Sequence, residues 1–311
     1  MEPVFDFKGR DIINGYDFTN QELCHIMDTA MIYEKRVKSG EAIKDLEGML
    51  VATLFFEPST RTRLSFNSAI QRVGASTIDL GNASVSSQAK GETGQDTLRT
   101  VDGYVDAIVM RHPVAGSAIE AADIAVHPLI NGGDGSRQHP TQALLDAYTI
   151  WQRKGGFEGL KVALLGDIYH SRVARSNIYL LNKMGAHVSI SGPGTMLPKE
   201  VEKMGVTVEK LPKYAVQDAD IVMMLRVQNE RASNLLYPDV REYSRYFMLT
   251  PELLKLAKKD ALVMHPGPAN RGVEIDDVVM DGEQSVILEQ VSNGVNVRMA
   301  VLYLLLGGAD K

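Results

Sequence analysis

Ser59, Thr60 and Arg61 stand two residues beyond an apolar run, residues 49–56, after Glu57 and Pro58, and Thr62 and Arg63 follow them. The run predicts a buried strand. Pro58 breaks it, and Leu64, Ala69, Ile70 and Val73 then recur at roughly helical spacing. The chain therefore turns from strand into helix where the hydroxyls and the guanidinium sit. The first amides of a helix have no partner within it and carry the positive end of its dipole. Hydroxyls and a guanidinium added to that ring of donors make a site for a phosphate group.

More polar motifs stand at the ends of other short apolar runs. Arg111-His112-Pro113 follows residues 106–110. Asp134-Gly135 and His139-Pro140-Thr141-Gln142 follow residues 124–130. Asp167 and Arg172 follow residues 161–165, Arg226-Val227-Gln228 follows residues 221–225, and His265-Pro266-Gly267-Pro268 follows residues 262–264. In an open parallel sheet, ligands bind beyond the carboxyl ends of the strands.

Singly, each motif has an ordinary reading. Ser59 and Thr60 would be helix caps, Arg111 a surface ion pair, His139 a loop histidine satisfied by backbone, Gln142 an exposed first-turn residue. Arg172 and Arg226 would be structural, and Lys90 a solvated loop lysine. Six such coincidences in one chain are hard to assign to chance. Gly166-Asp167 is half a dinucleotide fingerprint, but no G-x-G-x-x-G follows, and the G-x-x-x-x-G-K-[ST] loop is absent. Nicotinamide chemistry is thereby disfavoured.

The elements that must position these residues alternate. Strands are expected at 51–56, 76–80, 106–110 and 124–130, with helices at 62–73, 93–104 and 117–122 between them. After a helix at 141–153 the alternation restarts. Strands are expected at 161–165, 187–191, 221–225 and 262–264, and helices at 171–184, 198–204 and 251–257. A final helix covers 289–306, and residues 226–246 read as polar and irregular. Thr19 and Glu22 form a capping box, with Phe18 and Leu23 as its hydrophobic staple, ahead of an apolar stripe of Leu23, Ile26, Met27, Ala30 and Met31. The pattern predicts an α/β chain of two domains, each a parallel sheet flanked by helices.

A length of 311 residues allows two such domains. A net charge of −6 disfavours a nucleic-acid partner, so clustered arginines point to a local site for small anions. The single cysteine, Cys24, excludes an intrachain disulfide and the usual structural zinc site. No apolar run approaches the ~20 residues of a membrane span. The opening residues show no basic region followed by an apolar core. A cytoplasmic protein is expected.

Taken in order, the motifs resemble the aspartate/ornithine carbamoyltransferase family. They are Phe-Glu-Pro-Ser-Thr-Arg-Thr-Arg-Leu-Ser-Phe, Met-Arg-His, Gly-Asp-Gly, His-Pro-Thr-Gln-Ala-Leu-Leu-Asp, Leu-Arg-Val-Gln and His-Pro-Gly-Pro. The resemblance covers nearly the whole chain. Lys90-Gly-Glu, Arg226-Val-Gln228 and Pro266-Gly-Pro268 imply aspartate as second substrate. The His-Cys-Leu-Pro and Ser-Met-Gly motifs typical of ornithine enzymes are absent. The implied reaction is carbamoyl phosphate plus L-aspartate giving N-carbamoyl-L-aspartate and phosphate, an early step of de novo pyrimidine biosynthesis.

The resemblance also implies roles. Ser59, Thr60, Arg61, Thr62 and Arg111 hold the phosphate. Thr62, Arg111 and His139 point donors at the carbamoyl oxygen, and Gln142 with the backbone carbonyls near Pro266 and Gly267 fixes the carbamoyl NH2. Lys90, Arg172, Arg226 and Gln228 bind aspartate, Ser86 and Lys90 reaching in from a neighbouring subunit of a homotrimer. No metal or cofactor is implied, and the sequence leaves open whether regulatory chains attach. The implied domains are 1–140 for carbamoyl phosphate, with a C-terminal helix, 287–311, packing back on it, and 141–286 for aspartate. Three rivals stand beside this reading. They are a transcarbamoylase for another amine such as ornithine, a catalytically silent phosphate-binding relative, and an NAD-dependent oxidoreductase.

Overall fold

The computed structural model describes residues 5–79, 93–227 and 239–307. The chain divides into two compact units, one of residues up to Leu144 together with those from Asn293 onward, the other Leu145–Ser292. Each is built on its own parallel sheet.

The first unit runs α1 (Asn20–Lys38), β1 (Leu50–Phe55), α2 (Thr60–Arg72), β2 (Ser76–Asp79), α3 (Gly94–Asp102), β3 (Ala107–His112), α4 (Ser117–Ala122), β4 (Leu129–Asp134) and the start of α5 (Pro140–Lys154). The α1 capping box is present: Thr19 Oγ1 accepts from Glu22 N–H at 3.2 Å, and the Glu22 carboxylate accepts from Thr19 N–H at 2.7 Å. The strands pair in parallel in the order β2-β1-β3-β4. Residues of β1 from Val51 to Phe55 are buried without alternation, as expected of a strand covered on both faces.

Two strands differ from the sequence expectation. β3 runs through Arg111 and His112, which were expected in a loop, because the ladder outlasts the apolar run: Phe56 N–H donates to Arg111 O at 2.9 Å and Gly135 N–H to His112 O at 2.9 Å. β4 begins at Leu129, not at 124. Ile124 and Ala125 instead close the turn after α4, their amides donating to Ala121 O at 3.1 and 2.9 Å. The strand then continues through Gly132 and Gly133. A Cβ on Gly132 would sit 3.2 Å from Met110 O, so the glycine permits the close approach of β3.

The second unit runs from the remainder of α5 through β5 (Lys161–Leu165), α6 (Arg172–Lys183), β6 (His187–Ser191), β7 (Thr207–Val208), α7 (Pro212–Val216), β8 (Ile221–Met224), α8 (Val240–Phe247), α9 (Pro251–Leu254), β9 (Leu262–Met264) and α10 (Asp277–Met280). Its sheet order is β7-β6-β5-β8-β9, again parallel. The helix expected at 198–204 is only a 3-10 turn, Val201–Met204, closed by left-handed backbone at Glu200 and Gly205. Within the stretch expected to be irregular, Asp239 caps a helix, its Oδ1 accepting from Glu242 N–H at 2.7 Å, and Tyr243 on that helix is buried.

A last helix, α11 (Ile287–Leu306), joins its second half to the first unit. Arg298 donates to Ser65 Oγ at 2.7 Å and lies 4.7 Å over the Phe66 ring, and Tyr303 meets Tyr33 at 5.6 Å. It thus packs on α1 and α2. Among the described residues no helix is long and apolar enough to cross a membrane.

Both sheets share one feature that matters for binding. Strand order reverses between β1 and β3 in one, and between β5 and β8 in the other. At such a switch point the chain leaves neighbouring strands in opposite directions and opens a crevice at their carboxyl ends.

Candidate active site

In the first unit the switch point lies at the start of α2. Ser59 is the N-cap, in extended backbone, and its carbonyl accepts from Arg63 N–H at 3.2 Å. Its side chain makes no cap hydrogen bond. Thr19, Thr93, Ser171, Asp239, Thr250 and Asp276 each accept from an amide of their own first turn. Ser59 is therefore the exception among the described α-helices with a Ser, Thr or Asp N-cap. Thr60 and Arg61 are exposed, and Thr62 is 8% exposed. The dipole end and the Ser59 hydroxyl remain available for an anion.

Arg111 stands beside this turn because β1 and β3 pair with Phe55 opposite Arg111. Its Nη1 donates to Gly132 O at 3.2 Å, and its Nε lies 3.3 Å from Glu57 Oε2. Glu57 and the β4 backbone thus fix one side of the guanidinium.

His139 precedes α5 and is 3% exposed. Its carbonyl accepts from the Gln142 and Ala143 amides at 3.0 and 3.2 Å, which sets His139 and Gln142 one helical turn apart. The loop before it is held by Asp134. Asp134 N–H donates to Gln138 O at 3.1 Å. Asp134 Oδ1 accepts from Gln138 N–H at 3.0 Å and from Asn131 Nδ2 at 2.9 Å, and Oδ2 from Gly116 N–H at 2.8 Å. Gly135 lies so close to the next loop that a Cβ would sit 2.5 Å from Ala115 N. Burial pushes the neighbouring His112 imidazole below its ordinary pKa, and its Nδ1 accepts from Val114 N–H at 3.1 Å.

In the second unit the switch point lies between β5 and β8. Arg172 is the first residue of α6 and is 5% exposed. Ser171 caps that helix, its hydroxyl accepting from Ala174 N–H at 3.0 Å. Arg226 follows β8 and is half-buried, and Leu225 N–H donates to Leu165 O at 2.8 Å, so the two strand ends adjoin. Pro266 and Gly267 follow β9, with Gly267 at φ +69°. The geometry groups Ser59, Thr60, Arg61, Thr62 and Arg111 at one switch point and Arg172 with Arg226 at the other. Ser86, Lys90 and Gln228 lie outside the described residues.

Sequence reasoning gave no role to Glu57 or Asp134. Both stand inside the motifs, and a carboxylate two residues before a capping serine, or next to a glycine turn, was the available signal. Among the described residues no group of His, Cys, Asp and Glu is arranged to hold a metal ion.

Residues 10–152 match the family model for the aspartate/ornithine carbamoyltransferase carbamoyl-P binding domain, and residues 158–305 match that for the Asp/Orn binding domain. The chain is 51% identical over 302 residues to the aspartate carbamoyltransferase catalytic subunit of Ruminiclostridium cellulolyticum, covering 96% of each chain. Among solved structures it resembles Trypanosoma cruzi aspartate transcarbamoylase in complex with carbamoyl aspartate and phosphate. The TM-score is 0.88 at 31% identity, covering 98% of this chain and 99% of that one. It also resembles ornithine carbamoyltransferase from Pyrococcus furiosus, with a TM-score of 0.89 at 34% identity, covering 99% and 100%. The fold alone therefore does not separate the two amines. On these matches, which span both units, the chain belongs to the aspartate/ornithine carbamoyltransferase family.

Proposed function

We propose that the protein transfers the carbamoyl group of carbamoyl phosphate to the amino group of L-aspartate, giving N-carbamoyl-L-aspartate and phosphate in de novo pyrimidine synthesis. The observation that carries this reading is the α2 terminus, where Ser59 caps in position but not in hydrogen bonding, beside Arg111. Ser59, Thr60, Arg61, Thr62 and Arg111 bind the phosphate. Thr62, Arg111 and His139 stabilise the oxygen on which charge grows during attack. Losing one such donor typically costs about 2.7–4 kcal/mol of barrier. Gln142 and the carbonyls of Pro266 and Gly267 take the carbamoyl NH2.

Arg172 and Arg226 suit two carboxylates, since a guanidinium pairs a carboxylate in a planar, two-point fashion. Gln228 and Lys90 complete that set, Lys90 and Ser86 coming from a neighbouring subunit in a homotrimer. The names of the relatives favour aspartate over ornithine. The amine lone pair forms the C–N bond as the C–O bond to phosphate breaks, and the ammonium proton passes to the departing phosphate. No side-chain nucleophile is required, and catalysis is positioning plus electrostatics. The reaction belongs to the cytoplasm, in keeping with one exposed, unbridged cysteine.

The test is a parallel assay of carbamoyl phosphate with L-aspartate and with L-ornithine. N-carbamoyl-L-aspartate and phosphate are expected in equal amounts. Preference for ornithine, or no product with either, would overturn the reading. Sharing of sites is tested by mixing Lys90→Ala with Arg61→Ala protein under subunit exchange. Part of the activity should return, and an inactive mixture would count against it.

A further inference from the structure

We infer that His265 and Glu274 are positioning residues that make the Pro266-Gly267-Pro268 turn an acceptor-only surface, selecting a carbamoyl over an acetyl donor. The inference rests on the proposed function, which gives the Pro266 and Gly267 carbonyls to the carbamoyl NH2.

Proline carries no N–H, so Gly267 supplies the only backbone donor of the three residues. That donor is used: Gly267 N–H donates to His265 Nδ1 at 2.8 Å. A nitrogen that accepts carries no hydrogen, so the ring hydrogen sits on Nε2. Nε2 lies 3.2 Å from Glu274 Oε1 and donates to it. The same oxygen accepts from Asn270 N–H at 2.5 Å. His265 and Glu274 are both 0% exposed. With its single donor consumed, the turn has only carbonyl oxygens to offer a ligand. Carbonyls hydrogen-bond an NH2 and leave a methyl in the same place unrewarded, with their own lone pairs desolvated.

The pair is itself anchored. His265 N–H donates to Gln290 Oε1 at 3.0 Å, Gln290 Nε2 donates to Asp146 Oδ1 at 2.6 Å, and Asn177 Nδ2 donates to Asp146 Oδ2 at 2.7 Å. Glu274 O accepts from Leu249 N–H at 2.9 Å. This buried polar chain ties the turn to α5, α6 and α11 within one unit, and α6 begins with Arg172. Two apolar side chains of similar volume would fill the same space without placing a polar pair in the interior. They could not consume the Gly267 donor.

The test compares wild type with His265→Leu, which leaves Gly267 N–H without its acceptor, and with His265→Asn, whose Oδ1 can replace Nδ1. Two quantities are read: kcat/KM for carbamoyl phosphate with aspartate, and the inhibition constant of acetyl phosphate against carbamoyl phosphate. A misplacement of about 1 Å can cost 100-fold in rate. H265L should therefore lose about 100-fold in kcat/KM while its acetyl phosphate inhibition constant stays within about threefold. H265N should recover to within about tenfold of wild type.

If H265L does not fold, the double variant H265L/E274M, which also removes the carboxylate stranded by loss of the imidazole, carries the same test. Equal weakening of both phosphates, an unchanged kcat/KM, or an H265N no better than H265L would overturn the inference. A wild type that makes no N-carbamoyl-L-aspartate would instead overturn the proposed function, which separates the two failures.

Discussion

Helices α2 and α6 start from the same plan and solve it differently. Each follows the strand next to its sheet's switch point, and each has a serine at the N-cap. Ser171 uses its hydroxyl on its own helix, and the group that α6 offers is the buried side chain of Arg172. Ser59 leaves its hydroxyl off the helix, and α2 offers the helix end itself with Arg111 alongside. A phosphate takes many donors around a dianion, which suits a helix terminus. A carboxylate takes two parallel N–H groups, which suits a guanidinium on a satisfied helix. On the proposed function, one repeated architecture thus serves two anions of different shape.

The strongest way to break this contrast is to remove the guanidinium beside α2. Arg111→Met should lower kcat by about 1,000-fold, because the proposed function gives this one group both the phosphate and the carbonyl oxygen. Steady-state rates near wild type would remove Arg111 from the site. His139→Ala should cost about 100-fold in kcat while the affinity for carbamoyl phosphate changes far less, as expected of a group that acts mainly on developing charge. Equal losses in rate and affinity would argue against that role.

Smaller effects sharpen the comparison. Ser171→Ala should destabilise the protein by about 1 kcal/mol through loss of a cap, whereas Ser59→Ala should stay within about 0.5 kcal/mol. Urea unfolding of both variants measures this, and equal losses would erase the distinction. The least effect concerns His112. Burial lowers its pKa, so the unfolded chain binds a proton that the native state resists. Stability from this source is whole above the ordinary histidine value of about 6.5 and falls progressively below it. Melting temperatures at about pH 7.5 and 5.5 should differ less in His112→Asn than in wild type.

Where the sequence was readable, short apolar runs were bounded by turns. β5, β6 and β9 lie at 161–165, 187–191 and 262–264, as expected. The start of α2 was readable for the same reason: the strand-to-helix change is local, and Ser59 stands at its cap. β4 was misplaced because apolar Ile124 and Ala125 pack as a turn, while Gly132 and Gly133 extend the strand without any apolar signal. α8 was missed because only Tyr243 on it is buried, although Asp239 and Glu242 carried the start signal. The hold of Asp134 on the His139 loop, and of Glu274 on His265, joins groups across several residues through side chains, and hydrophobic periodicity does not report such pairings.

The most direct test of the contrast between the two helix starts is calorimetric titration of carbamoyl phosphate into wild type, Ser59→Ala and Ser171→Ala. Ser59→Ala should bind about tenfold more weakly, a change of about 1.4 kcal/mol, and Ser171→Ala should bind as wild type does. Undiminished affinity in Ser59→Ala, or the same weakening in both variants, would contradict the assignment of the phosphate to the α2 terminus.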